Sequence, residues 1–213
     1  MLHLDADSGP FMGVAVGAVL ATMGGLVGGQ IENRLQRRER QQSAALLFGE
    51  ILASLRFIIR MAADARGRGE PYGRVTLRIV TAALRETELY GRNRETLFSV
   101  RDPELRTRTH ILLAQMSLTL EAILEASASI EAADEAAAAG LDAQRAATRR
   151  ATAVEERHGA FDFMLELHGD LPPLIARYEA LAGQSFDATE RAALQAVRPQ
   201  PAAPDPAPGP VSD

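Results

Sequence analysis

The sequence contains no cysteine, no tryptophan and no lysine, and aromatic residues make up only 5 % of its 213 positions. Without cysteine the chain can form no disulfide, no thiolate zinc site and no cysteine nucleophile. All 23 basic residues are arginine, which together with abundant alanine indicates a GC-rich bacterial coding sequence rather than a function. The abundance of Ala, Leu, Arg and Glu, with few runs of β-branched residues, predicts an all-α fold.

Charge is absent from a long apolar run near the amino terminus. Pro10–Gly29 reads PFMGVAVGAVLATMGGLVGG, and a helix needs about 20 such residues to cross a bilayer. A cleaved signal peptide is the alternative, but it requires a basic leader and a small-residue cleavage site. Residues 1–9 contain Asp5 and Asp7 and no basic residue, and no A-x-A site follows the run. The sequence therefore predicts a retained transmembrane helix over residues 10–29, preceded by a short polar tail.

Arginine is concentrated directly after this span, in residues 30–43. The segment contains Arg34, Arg37, Arg38 and Arg40. Arginine-rich flanks stay on the cytoplasmic side, which predicts an inner-membrane protein with its amino terminus outside and its carboxyl-terminal domain in the cytoplasm. Such residues also contact anionic lipid. A nucleic-acid patch has a similar composition, but we favour the topogenic and lipid-contacting interpretation and expect no nucleic-acid partner.

Small residues recur at every fourth position of the predicted span. Such residues form one ridge along a helix, and G-x-x-x-G ridges let two backbones approach closely within a membrane. The ridge consists of Gly13, Gly17, Ala21, Gly25 and Gly29. It predicts packing against a second copy or a partner membrane protein, while the alternative is that glycine is simply common in spans.

The remaining chain, residues 44–198, is predicted to be a helical domain. Apolar residues from Ala44 to Ala62 and from Thr109 to Ala137 recur at three- and four-residue spacing, which is typical of amphipathic helices. No proline separates the first of these helices from the span, so one continuous helix is expected. The predicted architecture is a single amino-terminal transmembrane helix followed by an antiparallel helical bundle or a long helical hairpin.

Two short segments set the connections within this domain. Asp102–Pro103 predicts a helix start, because aspartate is a good N-cap and proline fits the first turn. Gly140 and Asp142 predict a turn between the third and fourth helices, although one uninterrupted rod is the alternative. The expected inner seam of the fourth helix consists of Ala147, Ala151, Val154, His158, Phe161, Leu165 and His168.

Proline dominates the end of the chain. Residues 199–213 read PQPAAPDPAPGPVSD, a composition that cannot build a core and predicts a disordered tail. A docking motif for a partner groove is the alternative. We favour a plain tail.

One motif has the residue types of a metal site. Glu155 and His158 are three positions apart on a helix, and four-helix di-iron sites use two such Glu/His pairs with two further glutamates. The second pair is missing here, and His158 falls on the expected apolar seam, where a hydrogen-bonded histidine is the ordinary outcome. We therefore predict no metal, no cofactor and no catalytic residue, and keep Glu155 and His158 as weak candidate ligands.

These patterns favour a non-enzymatic, single-pass protein that tethers, scaffolds or relays through helix–helix contacts. Its expected partners are the lipid bilayer and either a second copy or another membrane protein. An accessory subunit of a larger membrane complex is one alternative. A metal-dependent helical-bundle enzyme using Glu155, His158 and acids of the third helix is the other.

Overall fold

A computed structural model describes residues 9–140 and 142–186, with the side chains of residues 9–31 and 33 outside that description. Within it the chain forms five α-helices, one 3-10 helix and no strand, which confirms the all-α prediction for this part. The elements are α1 Gly9–Arg68, α2 Arg74–Asn93, the 3-10 helix Arg94–Ser99, α3 Pro103–Ala138, α4 Ala143–Gly169 and α5 Leu171–Ala182.

The first helix, α1, is continuous over 60 residues. The predicted unbroken passage through residues 30–43 is therefore confirmed. Ala44 is the first buried residue among its described side chains, so the helix extends beyond the bundle before this position. At 1.5 Å per residue, residues 30–43 measure about 21 Å.

Several predicted segments lie outside the described residues. These are residues 1–8 of the predicted polar tail, the end of the helical domain beyond Phe186, and the proline-rich tail at 199–213. Gly9, the last residue of the predicted polar tail, begins α1. The backbone of the predicted span is helical, but the side chains of its small-residue ridge are not described. Membrane crossing by residues 10–29 therefore stays a prediction.

Four helices meet near the amino-terminal end of the bundle, around Phe48 of α1. The Phe48 ring contacts Tyr90 near the end of α2 and Tyr178 near the end of α5, so both helices run antiparallel to α1. The Tyr178 hydroxyl hydrogen-bonds the hydroxyl of Thr109 on α3 at 2.9 Å. Burial raises the pKa of Tyr178 to about 12, so this phenol stays neutral.

The third and fourth helices form an antiparallel hairpin, which confirms the predicted turn and excludes the uninterrupted rod. Gly140 has a φ of 72°, in the left-handed region that favours glycine. The Asp142 carboxylate accepts from the backbone N–H of Arg145 at 3.2 Å and begins α4. Asp102 likewise begins α3 as predicted, since its carboxylate accepts from the backbone N–H of Leu105 at 3.1 Å.

The heptad stripe predicted for α3 is buried from Thr109 to Ala133, and only its last member, Ala137, is exposed. The seam predicted for α4 is only partly right, because Phe161 is buried and Val154 and His168 are half-buried but the other four members are not. Ala147, Ala151, His158 and Leu165 are exposed, and α4 instead buries the neighbouring face. The buried residues are Ala146, Ala153, Phe161, Met164 and Leu167. Alanine lies on both faces, so the larger Met164 and Leu167 decide which one packs inward.

The apolar core ends before the hairpin does. It includes α3 only as far as Ile123 and α4 only from Phe161. Arg66, two residues before the end of α1, pairs with Asp162 of α4 at 2.8 Å. The first helix therefore ends at the level where the apolar core ends. The buried residues of the outer part of the hairpin are Ile130 and five small ones, namely Ala126, Ser127, Ala133, Ala146 and Ala153. We call this part, residues 124–138 and 143–160, the hairpin arm.

Among the described side chains, α3 is the one helix long and apolar enough to cross a membrane. Its most apolar stretch is 44 % buried, and it packs against α2 and α4. These contacts are those of a bundle's central helix. They leave the predicted span at residues 10–29 untested.

Gly49 allows the end of the described chain to close onto α1. A Cβ atom at Gly49 would lie 2.1 Å from Cε2 of Phe186, whose ring is buried. The backbone N–H of Phe186 donates to the Glu179 carboxylate at 2.7 Å, which holds the ring in place. The contact therefore leaves no room for a side chain at position 49.

We expect Gly49→Ala to displace Phe186 and to lower the free energy of unfolding by about 1–3 kcal/mol, the usual cost of overpacking. The matched control is Gly159→Ala on α4, where no atom outside the adjacent backbone of the helix and the two neighbouring residues lies within 4 Å of the new Cβ. That change should raise stability by about 0.5–1 kcal/mol. Denaturation of the purified chain measures both, and equal effects would contradict the contact.

Candidate functional site

A basic surface of the described chain lies on α1 ahead of the core. Arg34, Arg37, Arg38 and Arg40 are all exposed, and Leu35 among them is 55 % exposed. Among the described side chains of α1, none before Ala44 is buried, so the four arginines lie outside the core. This surface has the chemistry that contact with anionic lipid requires, although that contact stays a prediction.

A cleft of about 360 Å³ lies where this basic stretch reaches the bundle. Arg38, Gln41 and Gln42 of α1 line it on one side, and Arg101 and the last turn of α5 line it on the other. The Gln42 amide donates to the backbone carbonyl of Ala182 at 2.9 Å and ties α1 to the end of α5. The lining is basic and polar, with two arginines and no acid.

His158 binds the turn between α1 and α2. Its Nδ1 lies 3.0 Å from the Tyr72 hydroxyl and 3.4 Å from a guanidinium nitrogen of Arg66. Arg66 also pairs with Asp162, and Glu155 is exposed. A guanidinium beside the imidazole opposes a metal cation at this nitrogen. Within the described part of the chain, no three His, Asp or Glu side chains are grouped so that they could hold a metal ion.

Cations and aromatic rings fix the same turn to α4. The Arg157 guanidinium lies 3.9 Å from the centre of the Tyr72 ring, and Arg66 lies 4.5 Å from that of Phe161. Burial raises the pKa of Tyr72, while the two arginines act in the opposite direction. Burial also lowers the pKa of Arg157. The cluster holds the end of α1 at the base of the hairpin arm, which is a structural role.

A second Tyr–His–Arg group lies at the other end of the bundle. The Tyr90 hydroxyl is 2.7 Å from Nδ1 of His110, and Arg94 is 3.4 Å from Nε2 of the same ring. The group joins α2, the 3-10 helix and α3. Sequence reasoning missed both groups because each tyrosine is far from its histidine along the chain, and no local spacing signals such a pair.

His168 lies next to the last residue of α4. Its Nε2 is 3.2 Å from the backbone carbonyl oxygen of Arg56. Burial lowers the pKa of His168, and the nearby charges of Arg56 and Arg60 lower it further, although the bond to the carbonyl partly compensates. The ring therefore packs between α1 and α4 as a neutral imidazole.

Comparison of the chain with protein-family models, with curated proteins and with solved structures found no match. Its function must therefore be inferred from its own surfaces. The arginines of α1 form one such surface. Exposed apolar side chains of α3 and α4, Leu118 and Phe163 among them, form another that the sequence did not reveal.

We expect His168→Gln to weaken the acid sensitivity of the fold. A histidine with a lowered pKa is protonated more readily in the unfolded chain, so stability falls as pH drops below about 6.5 and continues to fall towards the folded-state pKa. Glutamine can keep the bond to the Arg56 carbonyl without titrating. Melting temperatures of both proteins between pH 8 and pH 5 should diverge at the acidic end, and parallel curves would contradict this assignment.

Proposed function

We propose that this protein is a non-enzymatic tether of the bacterial inner membrane. In this proposal residues 10–29 cross the bilayer, residues 30–43 carry the arginines at its inner surface, and the bundle lies in the cytoplasm. One observation carries the proposal: α1 runs unbroken from the apolar segment through an exposed basic stretch into the core. No hinge separates the anchor from the domain.

The dimensions of α1 fit this arrangement. Counted from Gly29 at 1.5 Å per residue, Arg34 would lie about 8 Å and Arg40 about 16 Å beyond the hydrocarbon. Each headgroup layer is roughly 5–8 Å thick, and charges act on anionic lipid over about 8–10 Å beyond it. The four arginines would therefore lie within the reach of the lipid charges.

The orientation of the hairpin follows from the same helix. Phe48 and Thr109 meet at the amino-terminal end of the bundle through Tyr178, and Arg66 and Asp162 meet at the other end. The third helix therefore runs in the same direction as α1 and continues beyond its end. In the proposed orientation the hairpin arm points away from the membrane, where it is available to cytoplasmic partners as a scaffold or relay.

An accessory subunit of a larger membrane complex is the second candidate. The small-residue ridge of the span supports it as well as it supports self-association, because both need close packing of helix backbones. A metal-dependent enzyme has less support, since the neighbours of His158 are Arg66 and Tyr72.

We expect the full-length protein to fractionate with membranes, resist carbonate extraction and place a carboxyl-terminal reporter in the cytoplasm. Val19→Arg should reduce membrane integration, because arginine at the centre of a span costs about 2.5–3.5 kcal/mol. Val75→Arg is the matched control, since Val75 on α2 is 66 % exposed. A soluble protein, or a reporter outside the cell, would refute the tether.

If the ridge packs two spans together, Gly17→Leu and Gly25→Leu should each reduce crosslinking between copies within membranes several-fold, because the larger side chain separates the backbones. Val19→Leu changes a residue about 200° around the helix from Ala21 and serves as the control. Loss of a co-purifying membrane protein instead of a second copy would favour the accessory subunit. Unchanged contacts in all three variants would remove the ridge from the proposal.

A further inference from the structure

The hairpin of α3 and α4 leaves one face open. Away from this face, Ser117 of α3 lies 3.3 Å from a hydroxyl of α2, and His158 of α4 binds Tyr72. The open face begins at a cleft of about 280 Å³, where Ile111 of α3 is 49 % exposed. Asp170 at the end of α4 lines the same cleft, so these two residues lie on one side of the hairpin.

An exposed apolar pair lies farther along this face. Leu118 is seven residues after Ile111, and Phe163 is seven residues before Asp170, so each shares the side of its helix with the cleft residue. Leu118 is 20 residues before the end of α3 and Phe163 is 20 residues after the start of α4, which places the two side chains at about the same level. Leu118 is 68 % exposed and Phe163 is 41 % exposed.

Two glutamates lie side by side beyond this pair. Glu125 is seven residues after Leu118 and Glu156 is seven residues before Phe163, so both share the open face, and both are exposed. Each is 13 residues from its end of the turn. The axes of packed helices are about 8–10 Å apart, and like charges at this separation are stabilised by a cation that lies between them.

Among the described residues, no basic side chain forms an ion pair with either glutamate. Residues 111–129 and 152–170, which form this part of the hairpin, contain a single arginine, Arg157. Its guanidinium lies 3.9 Å from the centre of the Tyr72 ring, away from the open face. The charge of Glu125 and Glu156 is therefore left for a partner to balance.

Small residues separate the apolar pair from the glutamates. Ala122 and Gly159 are each 16 residues from their end of the turn, and both are exposed. The surface is therefore lower at this level than at Leu118 and Phe163. A groove between two packed helices with such a notch fits the apolar side chains of a third helix.

The acidic part of the face is as long as a short helix. From Ile111 to Ser129 it measures about 27 Å. The face becomes basic at both ends, because Arg108 lines the first cleft and Arg149 lines a second one nearer the turn. A basic occupant is therefore favoured at the middle of the face and not beyond it.

We infer that this surface binds a basic amphipathic helix of a cytoplasmic partner protein. The apolar side chains of that helix pack on the apolar pair, and its lysine or arginine residues pair with the two glutamates. We call the surface the acidic hairpin face; its residues are Leu118, Ala122, Glu125, Glu156, Gly159 and Phe163. A second copy fits less well, because the same contact would bring four glutamates together.

The inference rests on the proposed tether only in placing the acidic hairpin face in the cytoplasm. The tether proposal makes the hairpin arm available to partners without saying which chemistry they need. The apolar pair and the unpaired glutamates supply that chemistry.

The absence of cysteine allows a site-specific reporter in the full chain. Ala122→Cys supplies the only thiol for an environment-sensitive dye, with the protein in nanodiscs of zwitterionic lipid. The probe is a synthetic helix of leucine and lysine about 20 residues, or 30 Å, long, with its leucines along one side. We expect the lysine helix to shift the dye emission to the blue, whereas the same helix with glutamate in place of lysine should not.

A second reporter position is the matched control. Ala151 is exposed and lies about 120° around α4 from Phe163, outside the acidic hairpin face. A dye at Ala151→Cys should therefore respond little to the lysine helix. Equal shifts at the two positions would show binding without a defined site and would overturn the inference.

Matched variants separate the face from the net charge. In the Ala122→Cys chain, Glu125→Gln combined with Glu156→Gln should weaken binding of the lysine helix about three- to tenfold, because two charge pairs are lost. Glu131→Gln combined with Glu135→Gln removes the same charge from exposed positions that lie about 100° or more around α3 from Leu118. This control should change binding less than about twofold.

A third variant tests the apolar pair. Leu118→Ser should weaken binding of the lysine helix about tenfold, because less apolar area is buried in the contact. Val75→Ser on α2, at similar exposure, should leave the binding unchanged. Circular dichroism verifies that both variants fold.

Several results would overturn the inference. These are no shift with the lysine helix, an equal shift with the glutamate helix, or equal losses in the two glutamine double variants. A blue-shifted emission in the absence of the peptide would place a second copy or the chain's own end on the face, and that result would also contradict the inference.

Failure of the tether and failure of this contact give different results. If the protein fractionates as soluble and the reporter at Ala122→Cys still responds to the lysine helix in buffer, the tether is wrong and the acidic hairpin face stands. If the protein is membrane-bound and the reporter does not respond, the tether stands and this inference is wrong.

Discussion

The bundle depends on one aromatic junction, in which Phe48 of α1 lies between Tyr90 of α2 and Tyr178 of α5. The Tyr178 hydroxyl extends the junction to Thr109 of α3, so a single contact region holds four helices together. Aromatic rings bury much area and prefer definite angles, and this preference fixes the relative height of the helices. The direction of the hairpin relative to α1 follows from that height.

Local signals predicted the fold well wherever they were strong. The stripe on α3, the cap at Asp102 and the glycine turn at Gly140 each rest on a short-range rule, and the structure confirms all three. The seam of α4 was right at Phe161 but wrong at four other positions, because alanine occupies both neighbouring faces and heptad spacing alone could not choose between them. The choice depends on Met164 and Leu167, whose partners lie on another helix.

The candidate surfaces were predicted less completely. The arginines of α1 are visible from composition, and their exposure agrees with a solvent- or lipid-facing position. The Tyr–His–Arg groups depend on contacts between residues as far as 92 positions apart, for which a single sequence provides no signal. Leu118 and Phe163 were missed because apolar residues off the main stripe are common on protein surfaces, and only the fold shows that they share one face.

The unbroken course of α1 gives the length of residues 30–43 a geometric meaning. Each residue of a helix turns the chain by about 100° and advances it by 1.5 Å. One residue more or fewer in this segment would rotate the helical bundle by about 100° around the axis of α1 relative to residues 10–29, whereas seven more or fewer would nearly restore its direction. The number of residues in this segment, rather than their identity, therefore sets the direction that the helical bundle faces.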